Sequence, residues 1–413
     1  MAVTLADVAA RAGVSSATVS RVLNGNYPVA GSTRERVQRA VAELDYVVNG
    51  QARALAAATS DLVGVLVNDV ADPFFGLIAS ALQGEIGAAG TGPARTAAGS
   101  GGPNGTGAGP GGSGHGGAGA GGTAHGSTGL GGPGHGGAGF GGTGPGGGKL
   151  AVVCNTGGSP EAELTYLTLL ERQRAAGVVL TGGAVEDEAH TAAVTARLAR
   201  LAASGTRIVL CGRPPLTLPD AAEAVTTIAF DNRGGARRLT AHLLSLGHRR
   251  IGCVTGPAGR STTRHRLEGH RAALAAHGMG PGTPGGARAE RLTVHGGYDR
   301  ASGYDAALEL LRRQPDLTAI VAANDTVALG VCAALRDRGL DIPGDVSVAG
   351  FDDLPFSVDA SPALTTVRIP LQEAGARAGL VMGRQAPPPG GLATVATELM
   401  VRSSTAPPLT SGS

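Results

Sequence analysis

Three short stretches at the start of the chain place apolar residues at helical spacing. In the first, Val8, Ala9 and Ala12 make one face behind Thr4. Asp7, three residues after that threonine, is the acidic half of a capping box, and Gly13 stops the run. The second, SSATVSRVLNG, starts at Ser15 or Ser16, turns Val19, Val22 and Leu23 inward, and ends at Asn24-Gly25. The third, TRERVQRAVAELDY, has Thr33 as its cap and Val37, Ala40, Val41 and Leu44 as its inner face. A helix, a tight glycine turn and a second helix make a helix-turn-helix, whose second helix can enter the DNA major groove. From Leu62 onward the period changes. LVGVLV (62–67), LAVVC (150–154), GVVLTG (177–182), RIVLCG (207–212), RIGCVTG (250–256), AIVAAND (319–325) and VSVAGFDD (346–353) read as buried strands. Amphipathic stretches such as AELTYLTLLERQRA, GGARRLTAHLLSLG and ALGVCAALRDRG lie between most of them. Strands alternating with helices predict doubly wound parallel sheets.

The polar positions show what each part is equipped to touch. On the second helix Ser16, Ala17, Ser20 and Arg21 face outward, offering an arginine fork for a guanine or phosphate, hydroxyls for the backbone, and a methyl for thymine. Thr4, Ser15, Thr18 and Asn24 complete this candidate DNA-binding set. Six arginines against Asp7, Glu35, Glu43 and Asp45 leave the first sixty residues only weakly basic, so a single copy binds phosphate weakly and a dimer doubles the contacts. The predicted strands end in polar residues: Asn68-Asp69 and then DPFF (72–75), Asn324-Asp325, and Asp352-Asp353. Each of these is an ordinary helix cap taken singly. Several at the ends of different strands favour a pocket for a polyhydroxylated ligand, because every hydroxyl both donates and accepts.

Composition narrows the class. The 413 residues carry a formal net charge of +2, and aromatics are only 3%, so Ala, Val and Leu must build most of the core. No run of about 18 uncharged apolar residues exists to span a membrane. Asp7 and Arg11 interrupt the N-terminus where a signal peptide needs an apolar stretch, which predicts a cytoplasmic protein. Cys154, Cys211, Cys253 and Cys332 lie far apart within or beside apolar segments and read as reduced core cysteines. Enzyme signatures are lacking: the histidines form no HExxH, GxSxG and GxxxxGK[ST] are absent, and Asp352-Asp353 in an extended chain would point to opposite faces. No enzyme activity, metal or cofactor is expected.

VTLADVAARAGVSSATVSRVLNG followed by VNGQARALA closely resembles the N-terminus of the lactose-repressor (LacI/GalR) family of bacterial transcription regulators. The ligand-binding core of that family resembles FDNRGGARRLTAHLLSLGHRRIG (230–252), RLEG (266–269), AANDTVALG (322–330), DIPGDVSVAGFDD (341–353) and SPALTTVR (361–368). The resemblance implies an all-α helix-turn-helix domain (1–47), a hinge helix (48–60), and an α/β two-lobed domain like periplasmic binding proteins, with parallel sheets (61–408). Its first lobe would hold about 61–229 and 370–392, its second about 230–368 and 393–408, and 409–413 would be a tail. Asn49, Ala52, Arg53 and Leu55 match hinge residues, Leu55 standing where the family wedges a leucine into the minor groove. Ala56 and Ala57 follow, where some members carry a basic residue. By position Arg266 is the best effector contact, Asn324 and Asp352 match sugar-hydroxyl contacts, and Asn68 matches a first-strand contact. Phe74 and Tyr298 are candidate stacking residues, and Phe230 and Asp231 line the crossover between lobes. Gly212 lies where some members have an acidic ligand contact. Implied partners are palindromic operator DNA, a small-molecule effector of carbohydrate type, and a second copy of the chain. Repression relieved by the sugar is the favoured arrangement. A sugar-binding module without regulatory output is the alternative. No leucine heptads follow Pro408, so no tetramer through such a tail is expected.

Residues 88–148 interrupt the resemblance. Glycine is concentrated there, in a chain with 70 glycines, and a ten-residue repeat runs through GHGGAGAGGT (114–123), AHGSTGLGGP (124–133) and GHGGAGFGGT (134–143). Such a composition cannot bury enough surface to fold and predicts a disordered loop within the first lobe. His115, His125 and His135 recur with the repeat; expansion of the repeat explains them better than metal binding does.

Overall fold

The structure, a computed structural model, describes residues 3–24, 29–44, 46, 60–88, 149–383 and 388–409. Asn49, Ala52, Arg53 and Leu55, the hinge helix as a whole, and all but the first residue of the glycine-rich insertion lie outside the described residues.

The N-terminal unit has three helices: α1 (Leu5–Ala12), α2 (Ser16–Asn24) and α3 (Gly31–Glu43). Thr4 caps α1 in a complete capping box with Asp7, and Gly13 closes it in the left-handed conformation at φ 65°, where any side chain would be strained. Val8, Ala9, Ala12, Val19, Val22, Val37 and Ala40 meet in one small core. Arg11 Nε donates to Glu43 Oε2 at 2.7 Å and ties α1 to α3. Ser15 is the cap of α2, its Oγ accepting from the Thr18 amide at 3.2 Å. Thr33 is not the cap of α3. The helix begins two residues earlier, because the Ala30 carbonyl already accepts from the Thr33 and Arg34 amides.

The first lobe is a six-stranded parallel sheet of β1 (Leu62–Val67), β2 (Leu150–Asn155), β3 (Gly177–Thr181), β4 (Arg207–Cys211), β5 (Val225–Phe230) and β11 (Leu392–Val395). Their order is β11-β5-β4-β3-β1-β2, so the strand order reverses at β1, beside β3. The second lobe is a four-stranded parallel sheet in the order β7-β6-β8-β9, from β6 (Ile251–Thr255), β7 (Thr293–His295), β8 (Ala319–Ala322) and β9 (Ser347–Ala349). It reverses at β6, beside β8. Crevices at such reversals are where open α/β sheets hold ligands, and both open at the carboxyl ends of the strands.

Helices cover the sheets. In the first lobe α4 (Pro73–Ala88), α5 (Pro160–Arg172), α6 (Glu188–Ala203) and α12 (Leu371–Met382) do so. In the second lobe α7 (Asn232–Ser245), α8 (Ser261–Ala276), α9 (Pro284–Arg291), α10 (Arg300–Arg313) and α11 (Asp325–Asp337) do so. The α10–α11 crossing is very close: a Cβ on Gly330 would sit 2.0 Å from the Arg300 carbonyl oxygen, so only glycine fits there. All four cysteines are free and buried.

Two expectations need correction. The first-lobe segment does not end at 392: Leu392–Val395 pairs with Thr227–Phe230 as the sixth strand of the first sheet, with Val395 buried in the core. The chain therefore crosses back after Val395, and Glu398–Met400 (β12) then pairs antiparallel with Thr366–Arg368 (β10). The run of apolar residues also passes over β5, because Thr226 and Thr227 interrupt it. Both threonines are nevertheless buried in the sheet.

Candidate functional site

On the DNA-reading side, Ser15, Ser16, Ala17 and Arg21 of α2 are exposed while Val19 and Val22 are buried, so the helix presents one polar face. Ser20 and Thr18 are half-buried, and the Thr18 hydroxyl lies 2.9 Å from that of Ser15. The Thr4 hydroxyl donates to Asp7 Oδ2 at 2.7 Å, which gives it a structural task in the cap.

Between the lobes the strand ends assemble a second site around Arg266 of α8. Its Nε donates to Asn232 Oδ1 at 2.8 Å, Nη1 to the Ala323 carbonyl at 2.6 Å, and Nη2 to Asp352 Oδ1 at 2.7 Å. The guanidinium carbon lies over the Phe351 ring, 3.8 Å from its centroid. Three of the five N–H groups of the fork are thus used for positioning, leaving one on each terminal nitrogen for a ligand. Asp352 sits at φ 102° and Asp353 at φ 53°, two successive left-handed non-glycine residues of the kind that cluster at functional sites. The chain is not extended there, yet the carboxylates diverge. Asp352 goes to Arg266, while Asp353 accepts from Arg368 at 2.7 Å and Arg402 at 2.6 Å.

Phe74, Phe75 and Phe230 form an aromatic wall from the first lobe, with Phe74 edge-on to both neighbours at centroid distances of 5.0 and 6.3 Å. Gly212 makes that wall possible: at φ 82°, a Cβ there would meet the Phe230 ring at 2.8 Å. The ring thus occupies the space of a side chain at 212. The Asn68 amide nitrogen lies near Gly182, 3.1 Å from where a Cβ would stand. Tyr298 packs its ring on Gly256 and shares a 2.7 Å hydrogen bond with the Thr263 hydroxyl.

Asn324 and Asp231 both cap helices. Asn324 caps α11, its Oδ1 accepting from the Val327 amide at 2.8 Å. Asp231 caps α7 and pairs with Arg238 at 3.2 Å, at the crossover between the lobes.

Two residues were not singled out from the sequence. Asp72, in the DPFF motif, accepts from the Phe74 amide at 3.0 Å, and burial, reinforced by Asp352 and Asp69, pushes its pKa up to about 6 against the pull of Arg266. It brings a first-lobe carboxyl within electrostatic reach of the Arg266–Asp352 pair. The motif was visible, but its role as the cap of α4 hid the second one. Arg260 sits in an irregular loop that no periodicity marks, and its guanidinium donates to the Gly158 and Gly183 carbonyls of the first lobe. Beside it Val185 and Arg260 form an antiparallel bridge, the Glu186 amide donates to Gly259 at 2.7 Å, and Arg264 pairs with Glu186. These contacts join the lobes along one edge.

Residues 4–49 match the family described as bacterial regulatory proteins, lacI family, and residues 240–405 match a periplasmic binding protein-like domain. The chain is 31% identical over 368 residues to the HTH-type transcriptional regulator GalR of Escherichia coli (strain K12), across 89% of this chain and 84% of that protein. It is 32% identical over 377 residues to CelR of Thermobifida fusca, across 90% and 88%. The chain belongs to the LacI family of bacterial regulatory proteins. A solved CelR–cellobiose complex shares 29% identity at a TM-score of 0.57, covering 97% of this chain and 99% of that one. The lac repressor dimer bound to operator has the same fold, with a TM-score of 0.68 at 24% identity, covering 98% and 100%. As a member of the LacI family this chain is a DNA-binding transcriptional regulator. The match to regulators runs through both domains, which sets aside the ligand-binding module without regulatory output. Members of this family are regulators and not enzymes. Among the described residues no helix is long and apolar enough to cross a membrane.

Behind Arg266 lies a carboxyl with a pH signature. Asp325 is fully buried, accepts from the Leu354 amide at 2.8 Å and the Ser357 hydroxyl at 2.7 Å, and also bonds the Thr366 hydroxyl. Burial and the nearby Asp352 raise its pKa to about 7. The fold thus favours the protonated form. The resulting stability is complete below the ordinary value of 3.8 and is lost as pH rises through about 7. Asparagine can make the same bonds by donating to Thr366. Asp325→Asn should therefore flatten the fall in thermal midpoint between roughly pH 4 and 7. His270, held neutral by burial at about 4, acts on the acid side in both proteins and cancels in the comparison.

Proposed function

We propose that this regulator is a cytoplasmic homodimeric repressor that releases a palindromic operator when a sugar or sugar derivative binds between its lobes. The observation that carries the reading is Arg266. Its fork is fixed by Asn232, Ala323 and Asp352, with two N–H groups over for vicinal hydroxyls, opposite an aromatic wall suited to the apolar face of a sugar ring. Asp72 and Tyr298 lie within electrostatic reach of Arg266, Asn68 stands with Phe75 beside Gly182, and cellobiose in the related CelR complex supports a carbohydrate ligand. A second copy is supported by the edge strand β2, whose Leu150, Val152 and Val153 are 61%, 39% and 43% exposed; a partner would cover them.

The effector acts to the extent that it binds one lobe arrangement better than the other. Contacts from both lobes would be made only at one angle between them, so binding selects that angle. The segments joining the lobes pass the change towards the N-terminal unit. Selection on random duplexes, repeated with a panel of sugars beginning with cellobiose, tests this. A palindromic site released by one sugar is expected. A site indifferent to every ligand would remove the sugar from the proposal, and no enriched site would remove the operator.

A further inference from the structure

A cleft of about 840 Å³ opens on the first lobe between α6 and residues 213–219, on the sheet face away from Arg266's partners. Ala192, Ala196, Ala199, Pro214, Pro215 and Leu216 give it accessible apolar surface, laid over the buried Leu180, Leu198 and Leu218. Its floor is polar and buried. Arg213 grips Glu163 through two parallel bonds of 2.9 and 2.7 Å, and the side chains are 6% and 4% exposed. His190, 8% exposed, brings Nε2 to 3.6 Å from Glu163 Oε1, too far for a hydrogen bond. Both His190 Nε2 and Arg213 Nε are buried without a hydrogen-bond partner among the described residues. A buried donor left unmade is costly and calls for an explanation.

We propose that this cleft is a second ligand site, separate from the effector site, for an uncharged and mostly apolar small molecule carrying one hydrogen-bond acceptor. The acceptor takes the N–H of Arg213 or His190, and the apolar body lies against Leu216, the two prolines and the exposed alanines of α6. An uncharged ligand follows from the local balance. Arg213 and Glu163 neutralise one another, both oxygens of Glu163 are engaged, and the rim sets Glu186, Asp187 and Glu188 against Arg264 alone. An anion meets net repulsion there, and a cation finds no uncommitted carboxylate on the floor. The size fits the range of small-molecule sites. The cleft also has a route to the lobes: Ala184, Val185, Glu186 and Arg264 line one end of it, and these are the residues that join the lobes. Its occupant braces that junction.

Calorimetric titration of the full chain with three probes of one skeleton tests the site: acetophenone, ethylbenzene, which lacks the acceptor, and benzoate, which is charged. Acetophenone is expected to bind about three- to tenfold more tightly than ethylbenzene, the worth of one neutral hydrogen bond, with benzoate the weakest. Ala196→Phe, which places a ring at the mouth from an exposed helical position, should abolish binding. His190→Leu removes an imidazole that makes no hydrogen bond through Nε2 among the described residues and should reduce the preference for acetophenone. Hydrogen exchange at the Ala184 and Glu186 amides should slow on saturation with acetophenone. Absence of binding by all probes, an ethylbenzene or benzoate preference, or acetophenone binding that survives Ala196→Phe would overturn the site. Unchanged exchange at saturation would overturn its coupling to the lobes.

Discussion

Arg266→Lys is expected to yield a folded repressor whose operator binding no longer answers the effector. Lysine keeps a positive charge beside Asp352, which is buried and accepts from Arg266 at 2.7 Å. A compact ammonium cannot also reach Asn232 and the Ala323 carbonyl, cover Phe351, and keep two further N–H groups for a ligand. Effector affinity should fall on the order of a hundredfold, the worth of two charge-assisted hydrogen bonds. Operator affinity without ligand should stay at the wild-type level. Arg266→Ala is the harsher comparison: it leaves Asp352 as an unpaired buried carboxylate, at a cost of about 3–5 kcal/mol in chemical denaturation. A ligand response that persists in Arg266→Lys would place the effector elsewhere.

Arg21→Glu should abolish sequence-specific DNA binding and leave effector binding intact. Arg21 is exposed on α2, whose inner residues Val19 and Val22 carry the packing, so the reversal spares the three-helix core. One arginine contact to a guanine is worth about 1–3 kcal/mol, and a dimer carries two. The loss is therefore at least about thirtyfold in operator affinity, and the new carboxylate repels phosphate besides. Titration on the selected duplex, paired with calorimetry of the effector, reads both halves. Loss of effector binding as well would contradict the division into two separate sites.

Much of this was legible before any coordinates, for identifiable reasons. The capping box at Thr4 and Asp7, the stop at Gly13 and the inward face Val19–Val22 are local, set by neighbours within a turn or two, so a linear reading reaches them. The long apolar runs of β1, β3, β4, β6 and β8 are equally local, since a central parallel strand is buried on both faces.

What only the tertiary structure decided concerns pairs far apart in the chain. Leu392–Val395 belongs to the first sheet because of Thr227–Phe230, more than a hundred residues away. A short strand carries too little periodicity to announce such a partner. Asn324 and Asp231 are polar strand-end residues like Asn68 and Asp352, and nothing in the linear pattern separates a capping carboxamide from a ligand contact. The direction in which the Asn324 and Asp231 side chains are held is set by Val327, Gly234 and Arg238. Asp72, Arg260, and the Glu163–Arg213–His190 floor likewise acquire their character from burial and from charges contributed by other elements. A sequence states which groups are present; their mutual distances, and so their electrostatics, exist only once the chain has folded.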